Sequence, residues 1–456
     1  FWDTVEGYVV DPIALSSAAS KGSSSSGSGS GDGVDDDDMN STITAASARR
    51  KYQKEAVMPP ADLIASDVHW RVLSRKVTMP TPRTLFGMVS LPGHVLTVGG
   101  LAATNSGDGS QGNSVHVDSG AVEMFDVSSR QWSQGPSLSF PRSGLAVVSM
   151  RGVGGHSRVL AVGGMYGEKD ATDFYAVPYV EMMNVKPNGE MDKSWTRLPN
   201  LPANRTESAV VFCQGRVYVI GGAGATIASA TESMWSLRVM RKGGKKLLIP
   251  SSQAKETWRK EADLPTLRSS LAAEVVNGQI VVAGGMRGFL STTLDADPMK
   301  TVDVFDPTTG KWVAESSKFS PHHLPQARHS PASAVVPVSM LSPPKARGRR
   351  TTEEERSEKS GAAATMMLLG GGYGTKGDLR TTIGLAEGSE GTWMKLPMLN
   401  VPRMGLRMAY SGASGCVYAM GGMTMDPEHH DVAGSYSPIT GVVEELCPAS
   451  VEREEL

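Results

Sequence analysis

The stretch RVYVIGG, from Arg216 to Gly222, is a short apolar run closed by paired glycines. Close variants return along the chain as HVLTVGG, RVLAVGG, QIVVAGG, MMLLGGG and CVYAMGG. Four or five apolar residues rich in β-branched side chains and followed by glycine are typical of a strand that ends in a sharp turn. The same strand and turn therefore recur at six pairs of glycines: 99–100, 163–164, 221–222, 284–285, 371–372 and 421–422.

Two further markers alternate with the glycine pairs. One is a tryptophan after a polar turn, at Trp132, Trp195, Trp258, Trp312 and Trp393. The other is an arginine that opens the next apolar run, as in FPRSGLAVVS around Arg142. Trp132, Trp195 and Trp258 are separated by steps of 63 residues, which is longer than most solenoid repeats.

Each unit between these markers can be divided into four short strands. The arginine precedes the first strand and the glycine pair ends the second. The third alternates, as in AVEMFDV, YVEMMNV and TVDVFDP, and the fourth holds the tryptophan, which we expect to cover the contact between adjacent sheets. A single four-stranded sheet cannot bury both of its faces, whereas sheets stacked radially around an axis can. The sequence therefore predicts an all-β propeller.

With these markers the chain resembles the Kelch repeat family, whose pattern has the arginine, the double glycine, V-E-x-Y/F-D-P and the tryptophan. TVDVFDPTTGKW, from Thr301 to Trp312, matches that pattern closely, and six repeats span roughly residues 80–446. The resemblance implies an all-β, Kelch-type β-propeller with six four-stranded blades. The fifth repeat has a degenerate third strand, TTIGLAEGS, and the sixth has Val443 near the position where a tryptophan is expected.

The N-terminal region carries more of the same pattern. DTVEGYVVDP, from Asp3 to Pro12, reads as a third strand, and VHWRVL around Trp70 reads as a fourth. The chain then has seven pairs of third and fourth strands but six pairs of first and second strands. We therefore expect an N-terminal half-blade in addition to the six blades, as an incomplete seventh.

These segments give three regions. Residues 1–14 hold the outer strand of the half-blade, and residues 15–65 form a disordered insertion that is rich in serine and glycine and then acidic. The propeller itself spans residues 66–450, with an insertion loop at residues 340–364.

The composition excludes several classes of function. The formal net charge of -2 over 456 residues gives no overall field for nucleic acid or an anionic membrane, and no apolar run reaches the length of a membrane-spanning helix. The three cysteines are too few and too scattered to predict a disulfide framework or a zinc site, so we expect buried thiols in a reducing compartment, the cytoplasm with the nucleus as an alternative. The histidines of PHHLPQARH and PEHHD read as exposed loop residues, and no metal or cofactor is predicted.

The direction of the strands places the arginines together, on one face around the mouth of the axial channel. In Kelch-type adaptors, arginines at this position of the repeat contact acidic partner peptides, so the resemblance implies the same role here. The alternative is that the arginines bond the loops between blades. The predicted partner-binding residues are Arg83, Arg142, Arg205, Arg268, Arg328 and Arg403, with the hydroxyl residues that follow four of them, Thr84, Ser143, Thr206 and Ser269.

The resulting prediction is a non-catalytic interaction module. It would bind a protein partner, with an acidic segment as the candidate ligand, as the substrate-recognition part of an adaptor in a ubiquitin-ligase or cytoskeletal assembly. The alternative is a small-molecule enzyme of the Kelch or galactose-oxidase-like type, a sugar mutarotase or an oxidase, that uses the same mouth. No G-x-S-x-G, Walker or H-E-x-x-H motif accompanies the repeats, and no cysteine, tyrosine and histidine set fits a copper radical oxidase.

Overall fold

The computed structural model describes residues 68–105, 114–167, 174–224, 230–239, 257–288, 297–314, 323–341, 364–386, 389, 391–424 and 439–448. Strands dominate, and three short 3-10 helices interrupt them at Arg75–Val77, Val153–Gly155 and Val338–Leu341. Within these residues no helix is long and apolar enough to cross a membrane.

The strands follow one another through nearly the whole described chain. In chain order they are β1 (Trp70–Val72), β2 (Arg83–Thr84), β3 (Gly87–Leu91), β4 (His94–Val98), β5 (Leu101–Asn105), β6 (Ser114–Asp118), β7 (Val122–Asp126), β8 (Trp132–Gly135), β9 (Ala146–Arg151), β10 (Ser157–Val162), β11 (Met165–Gly167), β12 (Phe174–Ala176), β13 (Val180–Val185), β14 (Thr196–Arg197), β15 (Ala209–Cys213), β16 (Arg216–Ile220), β17 (Met234–Arg238), β18 (Arg259–Lys260), β19 (Ala272–Val276), β20 (Gln279–Ala283), β21 (Val302–Asp306), β22 (Lys311–Trp312), β23 (Ala332–Pro337), β24 (Thr365–Gly370), β25 (Tyr373–Gly374), β26 (Gly377–Asp378), β27 (Thr382–Ala386), β28 (Met394–Leu396), β29 (Arg407–Ser411), β30 (Cys416–Met420) and β31 (Val443–Leu446).

The described strands build six four-stranded antiparallel sheets, as the repeats predict for a Kelch-type β-propeller. From the inner to the outer strand, the blades are β3-β4-β7-β8 (blade 1), β9-β10-β13-β14 (blade 2), β15-β16-β17-β18 (blade 3), β19-β20-β21-β22 (blade 4), β23-β24-β27-β28 (blade 5) and β29-β30-β31-β1 (blade 6). Hairpins between the second and third strands extend blades 1, 2 and 5, as β5-β6, β11-β12 and β25-β26. These hairpins share a face with the connections between blades, which we call the mouth face.

The core lies between adjacent blades. The ring of Phe305 lies 5.2 Å from that of Trp312 in blade 4 and 6.1 Å from that of Tyr218 in blade 3. Four tryptophans also reach the segment that follows the outer strand of the preceding blade: the Nε1 of Trp195 donates to the carbonyl of Pro136 at 2.9 Å. Trp132, Trp258 and Trp312 make the same type of bond, to Val77, Pro199 and Ala262. The tryptophans thus cover the contacts between sheets.

A ring of backbone hydrogen bonds closes the propeller at the mouth face. One residue of each blade, two positions after its arginine, donates its N–H to the carbonyl of the equivalent residue in the preceding blade, over 2.8–3.3 Å. All six have a positive φ, between 48° and 63°, which orients N–H and carbonyl along the ring. These residues, named here the hub ring, are Leu85, Gly144, Glu207, Ser270, Ser330 and Gly405.

The N-terminal strand completes blade 6. Strand β1 pairs antiparallel with β31, with Trp70 opposite Leu446 and Arg71 opposite Glu445. The strand around Trp70, expected in a separate half-blade, is therefore the outer strand of blade 6, and Val443 begins a third strand where we had expected a fourth. Without β1, the backbone N–H and carbonyl groups on the outer edge of β31 would have no strand to pair with. The strand expected at Asp3–Pro12, the insertion at 15–65 and nearly all of the loop at 340–364 lie outside the described residues.

A disulfide bond corrects the expectation for the cysteines. Cys416 at the start of β30 and Cys447 just after β31 are bonded to each other, with their Cα atoms 4.3 Å apart. The spacing of 31 residues concealed the pairing, because antiparallel strands β30 and β31 bring the two positions together in space. Cys213 is a buried free thiol, as expected.

Candidate functional site

The six arginines predicted to bind a partner are buried. None is more than 3% exposed, and each guanidinium points into its own blade. In blade 2 the Nη1 of Arg142 lies 2.5 Å from the Glu181 carboxylate, and its Nε donates to the carbonyl of Gly163 at 2.7 Å. The arginine therefore ties the segment before the first strand to the glycine turn and to the third strand.

The partner of the arginine is the acidic residue of the third strand in four blades. Buried pairs join Arg83 to Glu123 at 2.6 Å and Arg403 to Glu444 at 2.9 Å, and equivalent pairs join Arg142 to Glu181 and Arg268 to Asp303. The acidic position of the V-E and V-D repeats is thus the counter-charge of the arginine. Sequence reasoning treated that position only as part of the strand pattern.

Blades 3 and 5 lack this carboxylate. Arg205 donates instead to the carbonyl and the hydroxyl of Ser233, and Arg328 to the same two groups of Thr381. Burial lowers the pKa of both guanidinium groups to about 10, as it does for the ion-paired Arg83, and leaves them charged at neutral pH.

The hydroxyl residues that follow four of the arginines are buried as well. Thr84, Ser143, Thr206 and Ser269 are no more than 1% exposed. The hydroxyls of Thr84 and Thr206 donate to the hub-ring carbonyls of Gly405 and Gly144, at 3.4 and 3.3 Å. Burial argues against direct contact between these side chains and a partner. The alternative weighed from the sequence was that the arginines bond the loops between blades; their guanidinium groups instead bond mainly the glycine turn and the third strand of their own blade.

An aromatic patch occupies the mouth face of blade 2. Its members are Phe140 before the arginine, Tyr166 and Tyr175 on the hairpin β11-β12, and Tyr179 before β13. Ring centroids lie 5.1 Å apart for Phe140 and Tyr166, 5.2 Å for Phe140 and Tyr179, and 5.7 Å for Tyr166 and Tyr175. The Arg197 guanidinium lies 4.5 Å from the centroid of Tyr179. Tyr175 is 48% exposed, so an edge of the patch faces solvent.

The same hairpin also contacts the hub ring. Phe174, at the start of β12, packs with the hub-ring residue Leu85 against buried Met165 and Ala223. Because Phe174 belongs to the strand that carries Tyr175, the aromatic patch continues into an apolar contact over the hub ring.

Exposed basic side chains lie on the other side of the mouth face. The connections between second and third strands carry Arg287 and Lys300 in blade 4, and Lys376 and Arg380 in blade 5, all exposed. The carboxylates of exposed Asp297 and half-buried Asp378 lie in the same connections. Asp295 of the blade 4 connection lies outside the described residues, so the two connections hold four cations and three anions in all, a small excess of positive charge.

The mouth end of the axis is closed. Glu207 of blade 3 and Arg407 of blade 6 line a cavity of about 20 Å³ beside Ser270, which has room for roughly one water molecule. Burial raises the pKa of Glu207 to about 7, while the Arg407 charge opposes the rise. The Ser270 hydroxyl donates to the Glu207 carboxylate. A sugar does not fit this cavity.

The described residues offer one group with the composition of a metal site, Cys416, Glu445 and Cys447, whose candidate ligand atoms lie within 4.8 Å of one another. The two sulfurs are bonded to each other, and Glu445 pairs with Arg71 at 2.8 Å and Arg130 at 3.1 Å, so the group does not suit a cation. His329 is buried beside Tyr373, and burial lowers its pKa to about 4. His322 and the histidines of PEHHD lie outside the described residues.

Comparison with known proteins agrees with this geometry. Residues 267–318, which contain blade 4, match the Kelch motif. The chain is 25% identical to mouse Kelch-like protein 35 over 229 residues, which is 44% of this chain and 36% of that protein. It is 32% identical over 96 residues to a Kelch repeat-containing protein of Arabidopsis thaliana, 21% of this chain and 20% of the relative. The match to human Kelch domain-containing protein 8B is 24% over 181 residues, 40% of this chain and 47% of the relative. The chain thus spans less than half the length of these relatives.

Proposed function

Since this chain is a Kelch-repeat β-propeller, we propose that it is a non-catalytic module that binds a protein partner across its mouth face. The observation that carries the proposal is the aromatic patch of Phe140, Tyr166, Tyr175 and Tyr179 with Arg197 beside it. Tyrosine and arginine are the residue types that most often dominate the free energy of protein–protein binding.

The arrangement of the patch suits such an interface. The aromatic side chains already contact one another, so binding has little side-chain freedom left to remove. Their phenol groups combine apolar area with hydrogen-bonding capacity, which is the reason for the enrichment of tyrosine at interfaces. The patch also lies on a connection and a hairpin that the rigid blades hold in place.

An acidic segment remains the proposed partner chemistry, but different cations would meet it. Four exposed cations can pair with the carboxylates of a partner where they stand: Arg287, Lys300, Lys376 and Arg380. The six buried arginines would first have to leave the protein interior. A role as the substrate-recognition part of an adaptor in a ubiquitin-ligase or cytoskeletal assembly is proposed from the resemblance of the repeats to Kelch-type adaptors. The cytoplasm, with the nucleus as alternative, stays a proposal, and the Cys416–Cys447 bond counts against it because disulfides persist mainly in oxidising compartments.

Quantitative proximity labelling with the full chain tests the proposal. Tyr166→Ala/Tyr175→Ala removes the exposed half of the patch, and Lys186→Ala removes an exposed side chain from the opposite face of the same blade. We expect proteins enriched by the wild type to lose at least ~10-fold of their enrichment with the double variant, because each hot-spot residue contributes roughly 2 kcal/mol or more. Equal enrichment by the wild type and both variants would refute the mouth-face interface.

A further inference from the structure

A second, larger cavity lies on the propeller axis, beyond the closed mouth. Its volume is about 220 Å³, and residues of all six inner strands line it. The lining runs to Pro92 and Arg151, which adjoin the loops between first and second strands. Those loops belong to the face opposite the mouth. The cavity is thus an axial pocket whose rim lies on the opposite face, and the small cavity lined by Glu207 and Arg407 lies toward the mouth.

One acidic group lies partway down this pocket. Glu274 is the third residue of β19, two residues before the strand ends at Val276, which places it about 7 Å below the rim. The Ser333 hydroxyl of the neighbouring blade donates to its carboxylate at 2.8 Å. Burial raises the pKa of Glu274 to about 7, and the bond from Ser333 partly opposes that rise. Among the described residues no ion pair includes Glu274.

The walls around Glu274 expose apolar and polar surface in similar measure. Val147, Val210 and Val335 line the pocket from three blades, and the aromatic side chains of Phe212 and Tyr410 also contribute to it. Apolar walls fit an alkyl chain, and aromatic faces attract cations. At that depth the carboxylate of Glu274 offers a strong hydrogen-bond acceptor for a cationic group at the end of such an alkyl chain.

Among the residues that the structure describes, few other charges face the pocket. Arg151 stands at the rim and already has an interaction partner. In the small cavity toward the mouth, Arg407 faces Glu207, which offsets its charge there. Glu274 is therefore the acidic group available to a ligand entering from the rim.

We propose that the axial pocket binds a primary alkylammonium group, with the carboxylate of Glu274 and the hydroxyl of Ser333 as its polar contacts and the valine walls around its alkyl chain. The group has two potential sources, a free small amine and the side chain of a lysine in another protein. This site is distinct from the mouth-face interface, and its ligand enters from the other side of the ring.

Isothermal titration calorimetry on the purified full chain tests the proposal with n-butylammonium chloride as the probe. Glu274→Gln keeps the shape of the side chain and an acceptor for Ser333, and we expect it to weaken binding about tenfold or more, because hydrogen bonds to charged groups are worth more than neutral ones. Glu232→Gln, which neutralises an exposed carboxylate outside the pocket, should leave the dissociation constant unchanged. n-Butanol, of the same length without the charge, should bind at least tenfold more weakly.

A second variant keeps the test decisive if Glu274→Gln does not fold. Val335→Phe fills the pocket from its wall and should abolish binding of butylammonium. Nα-acetyl-lysine amide as a second probe distinguishes the sources: binding as tight as that of butylammonium favours a lysine side chain, and weaker binding favours a free amine. The proposal is overturned if butylammonium does not bind, if butanol binds equally well, or if folded Glu274→Gln or Val335→Phe binds butylammonium like the wild type.

Discussion

Replacing Arg142 with methionine tests whether the repeated arginines hold the blades. The change leaves the Glu181 carboxylate, which is fully buried, without its counter-charge, and leaves the carbonyls of Gly163 and Phe140 without a donor. Breaking a buried ion pair by removing one partner costs about 3–5 kcal/mol. We expect Arg142→Met to lower the free energy of unfolding by that amount, measured by urea denaturation.

A double-mutant cycle separates the ion pair from packing. Arg142→Met/Glu181→Met removes both charges, so its loss should be smaller than the sum of the two single losses by at least ~1 kcal/mol. Arg205→Met in blade 3 is the matched control, since Arg205 bonds Ser233 and no carboxylate. It leaves no buried anion and should cost about 2 kcal/mol less than Arg142→Met. A cost below ~1 kcal/mol for Arg142→Met, together with loss of captured partners, would refute the structural role and restore the arginine as a binding residue.

Two further predictions concern blade 6 and the hub ring. Cys416→Ala/Cys447→Ala should lower the free energy of unfolding under oxidising conditions by about 3–4 kcal/mol, because the bond closes a 31-residue loop and so reduces the entropy of the unfolded chain. Dithiothreitol should destabilise the wild type but not this variant. Equal unfolding midpoints of the wild type with and without dithiothreitol would contradict the bond. Glu207 has its pKa raised from 4.5 to about 7, so its stabilising contribution is fully present below pH 4.5 and is lost as pH rises through 7. Glu207→Gln should remove up to ~3 kcal/mol of pH dependence from that window in urea titrations at several pH values, and an unchanged slope would contradict the burial of the carboxyl.

The repeat made most of the fold predictable. Paired glycines, alternating third strands and tryptophans each describe a local backbone requirement, and all recur often enough to define a four-stranded unit. The degenerate segment TTIGLAEGS still forms the third strand of blade 5, because its neighbours β24 and β28 hold it in register. The assignment of Trp70 to blade 6 was harder, since the pairing partner lies at the other end of the chain.

The candidate site was less predictable because a strand pattern gives the face of the sheet on which a residue lies but not the direction of a long side chain. Arg142 does lie at the mouth face, yet its guanidinium turns inward to Glu181. The acidic residue repeated in the third strand does predict this inward direction, because an anion repeated in a buried strand requires a repeated cation. The aromatic patch had no such signal: Phe140, Tyr166 and Tyr179 come from separate segments of one blade and no other repeat matches them.

The pairing of β1 with β31 also affects how the protein is made. Arg71 and Glu445, which meet in that pair, are 374 residues apart. At about 5–20 residues per second, a ribosome needs roughly 20–75 s to travel between them. During that interval Trp70 and the rest of its strand have left the ribosome with no sheet to join, and the first and last blades cannot yet meet. A chaperone that shields this one segment during synthesis would protect the whole ring from premature pairing with other chains.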